Sequence, residues 1–195
     1  MEFAQVMRKR RMIRSYEDRP VPEDFVERIV RNGLRAPSAG FSQGWAFLVL
    51  TESPDRERFF SVAAIPATGA ARGLAGAPLV IVALSHKQAY LDRYAEPDKG
   101  WTDRAESRWP VAYWDIDASF AALQMHLTAI DLGLGTCFSG IPSDRIPAFK
   151  DAFGVPDAYH PVGYVTAGYP AADVPSPSLR RGHRPVEEVL HRGRW

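Results

Sequence analysis

Ala36-Pro37-Ser38-Ala39-Gly40-Phe41-Ser42-Gln43-Gly44-Trp45, running into Ala46-Phe47-Leu48-Val49-Leu50, is the stretch that organises this chain. Its first half is rich in small and turn-forming residues, with Pro37, Gly40 and Gly44 as breaks. Its second half is a short apolar run with the character of a buried strand. The residues before Ala36 have helical periodicity, so the stretch is a helix–loop–strand junction. Glycine opens backbone conformations closed to other residues and lets a ligand approach the main chain. Ser38, Ser42 and Gln43 carry hydroxyl and amide groups able to donate or accept hydrogen bonds. These residues alone leave two readings open: a solvated connector, or a seat for the edge of a heterocycle.

Working outward, Glu2 to Lys9 reads as a short opening helix and Glu23 to Arg35 as an amphipathic one, with Phe25, Val26, Ile29, Val30 and Leu34 on one face. After the central strand, Ser53 is expected to cap a helix that runs through Ile65, and Pro66 to Gly76 to be a loop. Pro78 to Leu84 is continuously apolar, as in a strand covered on both faces. His86 to Trp109 mixes charges with Tyr90, Tyr94, Trp101 and Trp109; it reads as an excursion of a short helix and a loop, either an ordinary insertion or a cover for a site. Asp115 to Leu132 is the longest periodic segment, and Ile116, Phe120, Leu123, Leu127 and Ile130 mark the face expected to be buried. Gly135 to Gly140 and Val162 to Gly168 are further strands, with a helix at Ser143 to Phe153 between them and a Pro-rich connector at 171–178 after them. A last short helix is expected at Val186 to His191. Helices and strands alternate without a strict β-α-β beat, which predicts an α+β fold, a three-layer α/β/α sandwich around a mixed sheet. No composition shift marks a second domain, so residues 1–195 are expected to form one unit.

The apolar share of 46% is ordinary for a globular protein and argues against disorder. A formal net charge of +1 argues against a dedicated nucleic-acid binder. The charged start lacks an apolar signal core and no run is long enough to span a bilayer, so a cytoplasmic protein free of membrane partners is expected. Cys137 is the single cysteine, lies in an apolar run without a basic neighbour, and reads as a buried inert thiol.

Two basic clusters stand out. Arg10 and Arg14 are four apart, so a helical turn would aim both the same way, with Arg11 alongside. Arg181, His183 and Arg184 form the second, near the other end. Arginine pairs clamp phosphate bidentately, although basic runs also serve as plain solvated surface. Gly133-Leu134-Gly135 follows a helix and Phe138 occupies the third glycine position, so a dinucleotide fingerprint is excluded. The histidines show no metal spacing and no metal site is expected; Gly-x-Ser-x-Gly is absent. Asp115 and Asp117 read as an acid pair or as helix-start carboxylates. Tyr113, Trp114, Trp109 and Trp101 read as core or subunit-surface residues, and a pocket-lining role for some of them stays open.

Three separated stretches resemble one family in order. Residues 37–45 are similar to the PSxxNxQPW signature of the nitroreductase family of FMN enzymes, with Phe41 in the place of Asn and Gly44 in the place of Pro. Arg8-Lys-Arg-Arg-Met-Ile-Arg-Ser-Tyr16 resembles the RRSxRxF opening, with Met12 where the family often has Ser, so a hydroxyl contact to phosphate is lost. Leu134-Gly-Thr-Cys-Phe-Ser-Gly140 resembles LGLGTCWxGG, and the tail resembles the basic family ending. The resemblance implies FMN as cofactor, NAD(P)H as reductant, and a domain-swapped homodimer with a flavin at each of two interface sites. It implies phosphate contacts from Arg10, Arg11, Arg14, Arg181 and Arg184, with Met12 among the cofactor-binding residues. Pro37, Ser38, Ala39, Gly40, Ser42 and Gln43 would hold the ring and ribityl chain, and Phe138, Ser139 and Gly140 would lie along the other edge. The acceptor would be a nitroarene, quinone or activated alkene; no catalytic side chain is nominated. Flavin-fragmenting dimethylbenzimidazole synthases, flavin dehalogenases and deazaflavin-using enzymes share the fold, and a non-catalytic flavin-binding protein remains a further reading.

Overall fold

The computed structural model describes residues 1–63, 69–172 and 175–195, with residues 69–72 described through their backbone alone. Ten main elements follow one another: α1 (Phe3–Lys9), α2 (Glu23–Gly33), β1 (Trp45–Leu50), α3 (Ser53–Val62), β2 (Leu79–Ser85), α4 (Lys87–Ala95), α5 (Tyr113–Asp131), β3 (Gly135–Ser139), α6 (Ile146–Phe153) and β4 (His160–Gly168). The sheet order is β1-β2-β4-β3.

The layering follows from the alternation along β2. Leu79 and Ile81 pack on one face against Val26 and Ile29 of α2 and Met125 and Ala129 of α5. Val80, Val82 and Leu84 pack on the other against Phe59 of α3 and Phe149 of α6. Successive strand side chains point to opposite faces, so a strand apolar at every position needs a cover on both sides. Each such side chain removed from water contributes about 1.5–3 kcal/mol, which makes β2 the spine of the fold.

The expected sheet is present, but its mixed character is not: β1–β2, β2–β4 and β3–β4 all pair antiparallel. The parallel component among the described residues is a single bridge, Met12 to Thr136. Continuous apolar runs report burial on both faces and carry no information about strand direction. Smaller departures are local. Glu52, not Ser53, occupies the cap position of α3, and the Ser53 hydroxyl turns to Glu57 instead. The end of that predicted helix, 64–65, and the start of the next loop, 66–68, lie outside the described residues, as do 173–174 of the connector; Gly69–Gly76 is a run of 3-10 turns rather than a loop. The last predicted helix shrinks to one turn, Val186–Glu188.

The largest correction concerns α5. The buried face is Ala118, Ala121, Ala122, Met125 and Ala129, whose small side chains let the helix lie close to the sheet. Phe120 and Leu123, expected inside, are 44% and 49% exposed. The helix is apolar on nearly every side, so periodicity alone did not distinguish its core face. Phe120 and Leu123 thus leave an exposed apolar strip on the helix. No helix among the described residues is long and apolar enough to cross a membrane.

Candidate functional site

The basic stretch leaves α1 at Arg10 and runs extended along the sheet edge, not as the helical turn expected. The Ile13 N–H donates to the Thr136 carbonyl at 2.8 Å, and the Tyr16 hydroxyl donates to the Ile13 carbonyl at 2.7 Å. Gly135 makes this docking possible: a Cβ there would lie 2.8 Å from Ile13. The extended path divides the cations. Arg10 and Met12 line a cavity of about 290 Å³ with Ser119, Ala122, Leu123, His126 and Phe138. Arg11, Met12 and Arg14 line a second, of about 270 Å³, with Pro170, Pro175, Ser176 and Leu179. The N-terminal basic run thus meets Phe138 of β3 in the first cavity and the start of the tail in the second, and Met12 lines both. Arg181 lies two residues beyond Leu179 and is exposed, while Arg184 pairs with Glu188 at 3.1 Å within the tail.

His126 sits in the wall of the first cavity, 2% exposed. Its Nε2 is 3.3 Å from the Thr136 hydroxyl, and its Nδ1 is buried without a partner among the described residues. Burial, and then the charge of Arg10, push its pKa down to about 4, so the ring is neutral near pH 7. Phe138 is 36% exposed and its ring lies across the backbone of Gly163. Ser139 is partly buried, and Gly140 has open space where a side chain would be.

The central loop is held by α4 and the start of α5. Ala39 N–H donates to Asp117 Oδ2 at 2.8 Å, and the Tyr90 hydroxyl donates to the same oxygen at 2.8 Å. Arg93 Nε–H donates to the Gly40 carbonyl at 2.9 Å, while its other guanidinium nitrogens hold Asp98. Inside the loop, Ser42 donates to the Ala39 carbonyl and the Gln43 N–H to Ser38 Oγ. The excursion at 86–109 is therefore a clamp on this loop, made of α4 and an aromatic cluster in which Tyr94 stacks edgewise on Trp109 at 4.5 Å and leans on Trp101 at 4.9 Å. Burial, reinforced by the hydrogen bond to Asp117, drives the Tyr90 pKa well above the tyrosine range. Gly44 is required by this packing: a Cβ would meet the Tyr90 ring at 2.5 Å and the His86 carbonyl at 2.8 Å. Pro37 is exposed, and Ser38, Ala39, Gly40 and Ser42 are half-buried.

Asp117 and His126 anchor the two halves nine residues apart on α5, about 14 Å of helix. Arg10, Met12 and Phe138 share one cavity and Arg11, Met12 and Arg14 the next, while Ser38–Gln43 line neither. Sequence reading did not assign Tyr90, Arg93 or His126, and it took Asp117 for half of an acid pair or a helix-start carboxylate, whereas the structure makes it the acceptor for Ala39 and Tyr90. Asp117 was visible as an acid in register with the alanines of the buried helix face; the clamp residues carried no signal, because their partner is a loop far away in sequence.

The family model described as "Nitroreductase family" matches residues 7–169, which include all three motif stretches. The chain belongs to the nitroreductase family. Among curated nitroreductase relatives, a provisionally named NADH dehydrogenase/NAD(P)H nitroreductase of Archaeoglobus fulgidus is 26% identical over 100% of this chain and 99% of its own length. An NADPH-dependent oxidoreductase of Staphylococcus aureus is 24% identical over 97% of this chain and 72% of its own. The nitroreductase fold is equally plain in solved structures. Bacillus megaterium NfrA2 superposes with a TM-score of 0.78 at 20% identity, covering 100% of this chain and 75% of that one. A provisionally named nitroreductase from Desulfovibrio desulfuricans, solved in complex with FMN, gives 0.74 at 24% identity, covering 100% and 98%.

Proposed function

We propose that this chain is an FMN-dependent NAD(P)H oxidoreductase, a cytoplasmic homodimer in which residues 1–195 form one flavin-binding unit and the tails cross between subunits. The observation that carries the reading is the family match over residues 7–169, joined to a like-folded relative solved with FMN. The residues fit the cofactor. Arg10 in one cavity and Arg11 and Arg14 in the next, which shares Met12 with it, offer cations on both sides of a phosphate dianion seated where the two adjoin, with Arg181 and Arg184 close in sequence to the tail segment that lines the second. Met12 and Phe138 give an apolar wall, and His126 Nδ1 is a buried polar atom awaiting a partner.

The chemistry FMN would supply there is hydride transfer from NAD(P)H and, in a ping-pong cycle, on to a quinone- or nitroarene-type acceptor, with the balancing proton taken from water. The chain's own contribution is binding, orientation and exclusion of water. Each site takes Arg10–Arg14 and Phe138–Gly140 from one subunit and Pro37, Ser38, Ala39, Gly40, Ser42 and Gln43 from the other, because that loop lines neither of the cavities where the arginines lie. The bare strip Phe120 and Leu123 on α5 supplies apolar surface for that association. No side chain is required as an acid or base.

Titrating apoprotein with FMN and following flavin fluorescence tests the reading. Stoichiometric uptake, NAD(P)H oxidation with a quinone, and weakened affinity in Arg10→Ala/Arg14→Ala are expected. Two charge-assisted contacts at about 1.5–3 kcal/mol each predict a loss of at least a hundredfold. A colourless protein that takes up no FMN contradicts it.

A further inference from the structure

Phe41 is the one residue of the central loop that nothing in the subunit explains. Its ring is 74% exposed, whereas its neighbours Gly40 and Ser42 are half-buried. Its backbone is left-handed, φ +56, between Gly40 at +61 and Gln43 at +49. Glycine adopts this region freely and asparagine tolerates it; a bulky side chain there is a genuine outlier. The subunit thus holds a strained phenylalanine and gains no packing from it.

The strain is nonetheless strongly enforced. The Phe41 N–H donates to the Ser38 carbonyl at 2.9 Å. Just before it, hydrogen bonds fix Ala39 to Asp117 and Gly40 to Arg93, and just after it the Gln43 N–H donates to Ser38 Oγ. The Tyr94 ring closes the remaining freedom, lying 2.6 Å from where a Cβ on Gly40 would be. Enforced strain at an exposed residue points to a use outside the chain.

We propose that Phe41 selects the electron acceptor: its ring, held outward by the clamped loop, forms one wall of the pocket above the flavin and favours flat aromatic or quinonoid acceptors. The assignment rests on the composite flavin site proposed above, since that site is where the loop meets the other subunit. A ring presented in one orientation pairs with a flat π-system in an offset or edge-on geometry and displaces water from both. The contact is made only with acceptors that have a π-face, so it discriminates by shape and aromaticity rather than by charge.

The test uses holoprotein with Phe41→Ala and Phe41→Tyr; the ring is exposed, so both are expected to fold. Two acceptors are compared, a naphthoquinone and ferricyanide, which has no aromatic face. A redox-inert naphthoate reports binding directly through the shift it causes in the flavin absorption band. In Phe41→Ala the naphthoate Kd, and the ratio of naphthoquinone KM to ferricyanide KM, rise about three- to tenfold, while FMN affinity holds. Phe41→Tyr restores both. An unchanged naphthoate Kd overturns the proposal, as does an equal rise for the two acceptors. A drop in FMN affinity would make Phe41 a cofactor contact, and a drop in the dimer fraction would make it a subunit contact; either outcome refutes the selective role. Failure of the parent reading is a separate result, visible as no FMN uptake by the unaltered protein.

Discussion

Replacing Asp117 with alanine removes the pin on which the central loop turns. Asp117 is 4% exposed, and one of its oxygens accepts from both Ala39 N–H and the Tyr90 hydroxyl at 2.8 Å. An orphaned buried donor costs about 1–3 kcal/mol. Tyr90 is fully buried and bears the upper end of that range; Ala39 is half-buried, so water partly rescues it and about 1 kcal/mol is expected. The sum is about 3–4 kcal/mol, a fall of roughly 10 °C in Tm for a chain of this length. Thermal unfolding should be followed on apoprotein, because bound cofactor raises Tm by mass action. Asp117→Asn keeps a carbonyl oxygen for both donors and should lose about half as much. The loosened loop should also weaken FMN binding about tenfold, equivalent to about 1.4 kcal/mol. Asp117→Ala within 1 kcal/mol of the parent, or Asp117→Asn as damaging as Asp117→Ala, would refute the pin.

Gly44→Ala forces a methyl group against Tyr90 and the His86 carbonyl and should cost about 1–3 kcal/mol, with the penalty shrinking in a Tyr90→Leu background; equal penalties in both backgrounds would contradict the clash. His126 binds its proton less tightly folded than unfolded, so its contribution is whole above pH 6.5 and is lost as pH falls from there toward 4, about 3 kcal/mol in all. Denaturant titrations of His126→Gln should show a flatter dependence across that window, and an identical profile would remove the histidine from the account. Leu123→Glu puts a charge on the bare α5 strip and should shift sedimentation from dimer to monomer; an unaltered dimer would move the subunit contact elsewhere.

The layers of the fold were legible because β2 is apolar at every position and because α2, α5 and α6 announce themselves by period and by flanking turns. Strand direction was not, since an apolar run looks the same either way. The exposed strip of α5 was misread as core for a related reason: a helix that is apolar all round hides which face its own subunit covers. The candidate site residues were readable as motifs, but their division was not. Arg10 and Arg14 looked aligned by helical spacing, and the extended chain sent them to different cavities. Arg93 and Tyr90 were invisible as loop clamps because their partners are carbonyls, amides and glycine backbone, which leave no mark in side-chain chemistry. The departures from the family signature are partly explained: Gly44 makes room for Tyr90, whereas Phe41 is held in place without an internal return.

The central claim, that each flavin is shared between two subunits, is tested most directly by complementation. Arg10→Ala/Arg14→Ala lacks the phosphate cations; Gly40→Val, with φ +61 and Tyr94 in the way of any Cβ, lacks an ordered loop. Neither should retain FMN alone. Co-expressed in equal amounts, half of the dimers are mixed, and each mixed dimer has one site with both parts intact, so FMN should return to about one site in four. A mixture that binds no more FMN than either variant alone would contradict the shared site.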